Sequence, residues 1–407
     1  MSAAPSEEAL RKLSEDYFDL NGSYIETLDA PPSALEFSRL VHVSRPVVIK
    51  GHDIPPLTHW SDDHLLERMG EQQISIAATP NGRADAVTRG PDNKLYFAEP
   101  HVEKMTMSTF LNKLSTNSGD VLYLQSQNGN VYTNRTFEGQ EDPSEFEALR
   151  ADIPNDVAWC TGALDRSPDA VNLWIGDGRS VTSIHSDPYE NIYTVIRGQK
   201  HFILLPPTDG WCMRERSYPH ARYIRPAPDS SLILKPSNGA PPVRWASIPD
   251  PADHPETAFS SSSRQTAFHP SVHPLSVTLN AGDTLYLPAG WWHHVRQSAG
   301  DLHGGQSVGN LRGSQSVGDL RMGQSGVTIA LNWWYDPEMR GMTWALLSFL
   351  RGSEEVPDGN EEEVLNGREQ VPAGNDPGAS DDAPPDDGFA QDAEESGGNG
   401  NSDAPLE

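Results

Sequence analysis

Two stretches of this chain carry side chains that could converge on a metal ion. His185 and Asp187 stand one residue apart in VTSIHSDPYENIY. On an extended strand, residues i and i+2 point to the same face with Cα atoms about 6.5 Å apart, so an imidazole and a carboxylate placed this way can approach one cation. Alone, His-x-Asp is a common surface pair, and it needs a third ligand from a distant strand. The stretch GWWHHV, Gly290 to Val295, offers two histidines side by side, His293 and His294. Two histidines and one aspartate make the 2-His-1-carboxylate set, which suits Fe(II) and leaves coordination positions open. A structural zinc site with four protein ligands leaves none. On a strand the two adjacent histidines face opposite ways, so they are not equivalent.

Open positions on iron need occupants. A 2-oxo acid chelates two of them and O2 takes the third. The far carboxylate of 2-oxoglutarate then requires a cation and a hydroxyl. Lys200 lies beyond the turn at Arg197-Gly198, on the next strand of a hairpin, and can point into the same barrel; the plainer reading of one lysine is a solvated strand edge. Thr182 and Tyr123 are candidate hydroxyls, although both are also ordinary strand residues. Asn191 and Asn332 sit within apolar runs, where a buried amide must find partners; either structural or ligand-facing roles fit.

The elements that would hold these residues are mostly strands. From Val171 the runs VNLWIG, VTSIHSD, NIYTVIRGQKHFILLPP, LSVTLNAGDTLYLPAGWWHHV and GVTIALNWWYD are β-rich and broken by Gly, Pro and Asp. Short strands with turn signals at this spacing predict an all-β barrel or jelly roll. Ahead of them, helices are expected after Ser6, from Ser33, over HWSDDHLLERMG and over TMSTFLNKL, with strands at RPVVIKG, QQISIAAT and DVLYLQSQ and a turn at NGRAD. EMRGMTWALLSFLRG returns to helix. The expected organisation is an N-terminal helical and mixed region over 1–119, a catalytic β domain over 120–351, and an acidic tail over 352–407. Two insertions interrupt the β domain. Residues 213–274, rich in Pro, Ser and Arg, read as a long loop with little regular structure. Residues 297–323 hold three nine-residue copies of one theme, QSAGDLHGG, QSVGNLRGS and QSVGDLRMG, too short for a solenoid core and suited to a flexible loop.

Composition narrows the function. The net charge is -28, and the tail from Gly352 contributes seventeen acidic residues against one basic, Arg368. The remainder is still acidic, by about -12, with no basic run. This argues against primary nucleic-acid binding and favours a cationic protein or peptide partner. The tail has too few large apolar residues to offset its ordering entropy and reads as disordered. Two cysteines, Cys160 and Cys212, outside any CxxC, predict neither a disulfide framework nor a thiolate metal site. MSAAPSEEALRKL lacks an apolar signal core, and no run approaches a membrane span, so a cytosolic or nuclear location is expected.

VTSIHSDPYENIYTVIRGQKHFILLPP together with GDTLYLPAGWWHHV and IALNWWYD resembles the jumonji-C family of Fe(II)/2-oxoglutarate oxygenases, in particular its small lysyl hydroxylases. The likeness extends through RPVVIKG, ISIAATPNGRADAV, VLYLQ and DAVNLWIG, covering roughly residues 6 to 351. It implies a double-stranded β-helix core of jelly-roll, cupin-like type. It implies that His185, Asp187 and His293 are the iron ligands, because the family's closing element places the ligand two residues before a valine, here Val295. His294 then falls to a packing or supporting role. By the same resemblance Lys200 takes the 2-oxoglutarate carboxylate, Thr182, Tyr123, Asn191 and Asn332 line that cosubstrate, and Trp334 stands by the substrate channel. The implied reaction is C-3 hydroxylation of a lysine in a protein such as a developmentally regulated GTP-binding protein, and the helix over Met342–Leu350 is implied to make a homodimer contact. Two other readings remain open: demethylation of methyl-lysine, as on a histone, and a non-catalytic cupin-like binding protein. The repeats, the Ser-rich insertion and the acidic tail depart from the family pattern without removing a candidate ligand.

Overall fold

The computed structural model describes residues 5–116, 119–125, 129–248, 251, 268–299, 326–351 and 356–360. Eight strands form its centre: β1 (Ala170–Gly176), β2 (Val181–Ser186), β3 (Glu190–Arg197), β4 (Gln199–Leu205), β5 (Leu275–Asn280), β6 (Thr284–Leu287), β7 (Trp292–Ser298) and β8 (Thr328–Tyr335). They are divided between two sheets, one in the order β6-β3-β8-β1 and the other β5-β4-β7-β2, and every pairing among the eight is antiparallel. This is the jelly-roll arrangement expected from the punctuated β-rich runs.

Strand alternation divides the side chains into two sets. On β8, Ile329, Leu331, Trp333 and Tyr335 join an outer core beneath the N-terminal helices, whereas Ala330 joins the core between the sheets. On β3, Ile192 and Ile196 go outward and Tyr193 and Val195 inward. Both strands are buried on both faces, which is why their sequences read as continuous apolar runs rather than alternating ones. The helix Glu7–Asn21 is capped by Ser6, and the helix Ala34–Val43 by a Ser33–Glu36 capping box. From the second of these, Phe37 inserts against Trp159 and Tyr286, fully buried. Truncating a buried Phe typically costs about 3–5 kcal/mol, so this contact fixes the helical layer on the large sheet.

The N-terminal region also adds strands to both sheets. Glu26–Leu28 and Val47–Ile49 extend the large sheet beyond β6; Val121–Leu124, Gln73–Thr79 and His101–Thr106 extend it beyond β1. Arg83–Ala84 pairs in parallel with the start of β2. The β-structure therefore runs across the boundary expected at 119/120.

The stretch expected to be a loop over 213–274 is corrected by four short strands at Arg216–Tyr218, His220–Ile224, Ile233–Pro236 and Val243–Trp245. His220–Ile224 pairs in parallel with Leu95–Glu99. Each run is too short to show alternation, and the partner lies far away in sequence, so local pattern could not reveal it. The Ser-rich residues 252–267 lie outside the described residues, as do repeat residues 300–325 and tail residues 361–407. The first repeat begins inside β7, which continues to Ser298. Residues 356–360 dock on Ser217, which donates from its N to Pro357 O at 2.9 Å and accepts at its O from Gly359 N at 2.8 Å. Docked residues thus occur beyond the expected end near Arg351. Among the described residues no helix is long and apolar enough to cross a membrane.

Candidate active site

β2 and β7 run antiparallel with His185 opposite His293. Asp187 follows β2 directly, and its carbonyl accepts from Gly290 N at 2.8 Å, tying the end of β2 to the turn that starts β7. Gly290 takes a φ of 79°, a left-handed conformation that glycine adopts without steric cost. The ligand atoms of His185, Asp187 and His293 all lie within 4.8 Å of one another, the one such His/Cys/Asp/Glu group among the described residues.

The tautomers follow from the neighbours. His185 Nδ1 is 2.9 Å from Ser183 O, and His293 Nδ1 is 3.0 Å from Trp291 O. A carbonyl can only accept, so both Nδ1 atoms carry a proton and both Nε2 atoms are turned toward Asp187. Each Nε2 lies 3.7 Å from the same Asp187 oxygen, too far for a hydrogen bond. Burial pushes the Asp187 carboxyl up, but the His185 imidazole and then His293 outweigh it and hold it at about 2. Burial, reinforced by His185, pushes His293 down to about 4, so it is neutral near pH 7. Burial pushes His185 down, but Asp187 outweighs it and raises its pKa, so a bound metal would take the place of a proton on His185 Nε2. Two imidazoles with Nε2 toward one ionised carboxylate fit a divalent metal with open positions, and the orienting carbonyls are the usual outer partners of metal-bound histidine. His294 is also buried, opposite Ile203, but it is not part of this group.

The three residues open on a cavity of about 460 Å³ whose walls include Lys200, Thr182, Tyr123, Asn191, Asn332 and Trp334. Strand parity brings most of them there. Asn191 and Tyr193 on β3, Lys200 and Phe202 on β4, His293, Val295 and Gln297 on β7, and Asn332 and Trp334 on β8 follow the inward alternation. Thr182 and His185 are three apart and should face opposite ways. The register between β2 and β7 shifts there, with Thr182 opposite Val295 and His185 opposite His293. One extra residue on β2 forms a bulge that turns both side chains into the cavity.

Lys200 is 2% exposed, and its hydrogen-bond partners are neutral: it donates to Tyr123 Oη at 3.1 Å and to Gln297 Oε1 at 2.5 Å. Burial alone pushes its ammonium from 10.5 down to about 7. A buried cation with neutral partners is suited to an incoming anion, which is what the far carboxylate of a 2-oxo acid supplies. The amides are locked together: Trp174 Nε1 donates to Asn332 Oδ1 at 2.8 Å, and Asn332 Nδ2 donates to Asn191 Oδ1 at 3.1 Å. Trp334 stacks on Tyr189 with ring centroids 5.2 Å apart.

The sequence reading does not single out Tyr193 and Trp245, which line the cavity, or Gln297, which holds Lys200 behind its wall. Gln297 continues the parity of His293 and Val295, but it is also the first residue of the repeats, which conceals it. Tyr193 continues the parity of Asn191. Trp245 stacks on His185 at 5.9 Å and 10°, from a strand read as loop, and carries no local signal.

Comparison with known proteins agrees with this geometry. The cupin-like domain family matches residues 32–341. A lysine-specific demethylase, JMJ32, of Arabidopsis thaliana is 36% identical over 336 residues, 81% of this chain and 86% of the relative. The human bifunctional peptidase and (3S)-lysyl hydroxylase JMJD7 is 33% identical over 316 residues, 76% of this chain and 84% of the relative. The JmjC domain-containing protein E of Dictyostelium discoideum is 28% identical over 339 residues, covering 79% and 86%.

Lys200 makes stability depend on pH. Its folded value, about 7, lies below its unfolded value of 10.5, so between these the unfolded chain binds more protons. Its cost is complete below pH 7 and is relieved as pH rises toward 10.5. In denaturant unfolding of the metal-free protein, wild type should gain on Lys200→Met between pH 7 and 10, on the order of a few kcal/mol. A difference that stays flat with pH would contradict an ammonium buried this way.

Proposed function

The chain belongs to the cupin-like JmjC oxygenases, and from that premise we propose that it is an Fe(II)- and 2-oxoglutarate-dependent hydroxylase acting on a lysyl residue of a protein. The observation that carries the reading is the pairing, in one cavity, of the His185–Asp187–His293 group with the buried Lys200 ammonium. In this reading His185, Asp187 and His293 hold the iron, and Lys200 with the hydroxyls of Tyr123 and Thr182 receives the far carboxylate of 2-oxoglutarate. When bound, iron and 2-oxoglutarate supply oxygen activation: O2 is consumed, the oxo acid becomes succinate and carbon dioxide, and one oxygen atom enters a substrate C–H bond.

The chain's own part is placement and exclusion of water. The Ser183 and Trp291 carbonyls hold both imidazoles with Nε2 forward. The Asn191–Asn332–Trp174 chain keeps polar groups in the wall satisfied, so it need not recruit water. Tyr193, Phe202 and Val295 supply an apolar lining in which the field of Lys200 is weakly screened. Trp334 lies on the same wall and serves the substrate side of the cavity.

The substrate is the finer part of the proposal. The acidic chain suits a lysine-rich target, and a developmentally regulated GTP-binding protein is the candidate the family likeness offers. A second reading, removal of a methyl group from methyl-lysine, is supported by the demethylase name of the Arabidopsis relative. Both use the same iron chemistry and differ in which carbon is presented. The helix Met342–Arg351 leaves Met342, Leu346 and Phe349 largely exposed, and we assign this face to a homodimer contact. Light scattering should then give twice the chain mass for wild type and a monomer for Leu346→Glu; a wild-type monomer would discard the contact.

The metal assignment has a sharp test in the two neighbouring histidines. His293→Ala should lose iron binding and succinate formation by more than about tenfold, the usual scale for damage to a metal shell, while His294→Ala keeps most of both. Mass spectrometry of a lysine peptide treated with wild type should show one added oxygen atom; formaldehyde release from a methyl-lysine peptide would select the second reading. Loss of metal in His294→Ala but not His293→Ala would mean that the register of β7 is wrong by one residue.

A further inference from the structure

Asp85 follows the short strand Arg83–Ala84 that pairs with the start of β2, and its carbonyl accepts from Ser183 Oγ at 2.8 Å. Ser183 is two residues before His185, so Asp85 is fixed beside the strand that carries the metal group. Its φ is 51°, in the left-handed region where aspartate and asparagine are among the few non-glycine residues at ease. The side chain lines the metal cavity and also an adjoining cavity of about 580 Å³ that runs toward His101 and Val102; Asp85, Glu99 and Gln125 line both. The inner cavity therefore continues outward past these three residues.

The two carboxylates at this junction differ. Glu99 already has a cationic partner, Arg222 at 2.9 Å, with the His220 ring at 3.2 Å. Asp85 accepts from the neutral Gln125 amide at 3.0 Å, and no Lys or Arg among the described residues pairs with it. Burial, with Glu99 adding to it, pushes its carboxyl up to about 6. A carboxylate without a Lys or Arg partner among the described residues, at the junction of two cavities, is complementary to a ligand bearing a cation, which a peptidyl lysine has.

We propose that Asp85 is a specificity-determining residue that ion-pairs the ammonium of the substrate lysyl side chain as it enters from the outer cavity. The assignment rests on the hydroxylase reading for its substrate class. It also bears on the choice of reaction. A carboxylate holding an ammonium uses N–H donors, which a trimethylated nitrogen lacks, and it holds the nitrogen at the wall rather than presenting it to the metal.

The test compares binding of fluorescein-labelled peptide pools that are randomised except for a central lysine, norleucine or Nε-trimethyllysine. The full-length protein is loaded with Mn(II) and 2-oxoglutarate, and affinity is read by anisotropy. Norleucine keeps the four-carbon stem and removes the charge. Wild type should bind the lysine pool at least about tenfold more tightly than the norleucine or trimethyllysine pool, and Asp85→Asn, which keeps a residue tolerant of the left-handed backbone, should lose most of that ratio. The ratio is internal to each protein, so a general folding defect cannot imitate the result. A wild type indifferent to the charge, or an Asp85→Asn that still discriminates tenfold, overturns the proposal. Selectivity that depends on Asp85 without any oxygen added to lysine would sink the hydroxylase reading and leave this assignment in place; hydroxylation with selectivity indifferent to Asp85 would do the reverse.

Discussion

The site depends on one pairing: β2 against β7, in the register that sets His185 opposite His293. A slip of one residue would bring His294 opposite His185 and send Val295 and Gln297 to the other face with it. The register is held from both sides. β7 is paired along its other edge with β4, where Leu204, Phe202 and Lys200 stand opposite His293, Val295 and Gln297. The bond from Gly290 N to Asp187 O fastens the end of β2 to the turn ahead of β7. The metal group, the Lys200 contact with Gln297 and the apolar lining are consequences of the same alignment.

The interior departs from what stability alone would select. A barrel of this size packs best with apolar residues on its inward face, yet here that face holds an ammonium, two amides, two histidines and an aspartate. The amides are satisfied by each other and by Trp174, so they cost little. Lys200 has only neutral hydrogen-bond partners, and no Lys or Arg among the described residues pairs with Asp85. Groups held in this way destabilise the empty fold and strengthen the grip on ligands that complete them. The surrounding layers, with Phe37, Tyr286 and Trp333 fully buried, provide the stability that tolerates this.

Much of the fold and part of the site were legible in the sequence, for physical reasons that can be named. Strand alternation joins His185 to Asp187 and separates His293 from His294, and the Gly, Pro and Asp breaks outline the barrel strands. Alternation fails at Thr182, where the bulge in β2 adds a residue that no periodicity reports. It is concealed at Gln297, where the strand overlaps the repeats. It is absent at Trp245 and Asp85, which reach the cavity through pairings between segments far apart in the chain. Composition predicts an unstructured tail from Gly352, but Val356–Asn360 dock through backbone bonds to Ser217 and an Asn360 amide clasp on Leu95, interactions to which composition is blind.

The central claim is that one metal ion and one dicarboxylate share the cavity, the metal on β2 and β7 and the far carboxylate on Lys200. Anomalous diffraction from crystals grown with Mn(II) and 2-oxoglutarate tests it most directly. The account predicts a single strong anomalous peak within bonding distance of His185 Nε2, Asp187 and His293 Nε2, with ligand density reaching from it to the Lys200 ammonium. A peak at His294 or elsewhere, or a dicarboxylate bound away from Lys200, would contradict it.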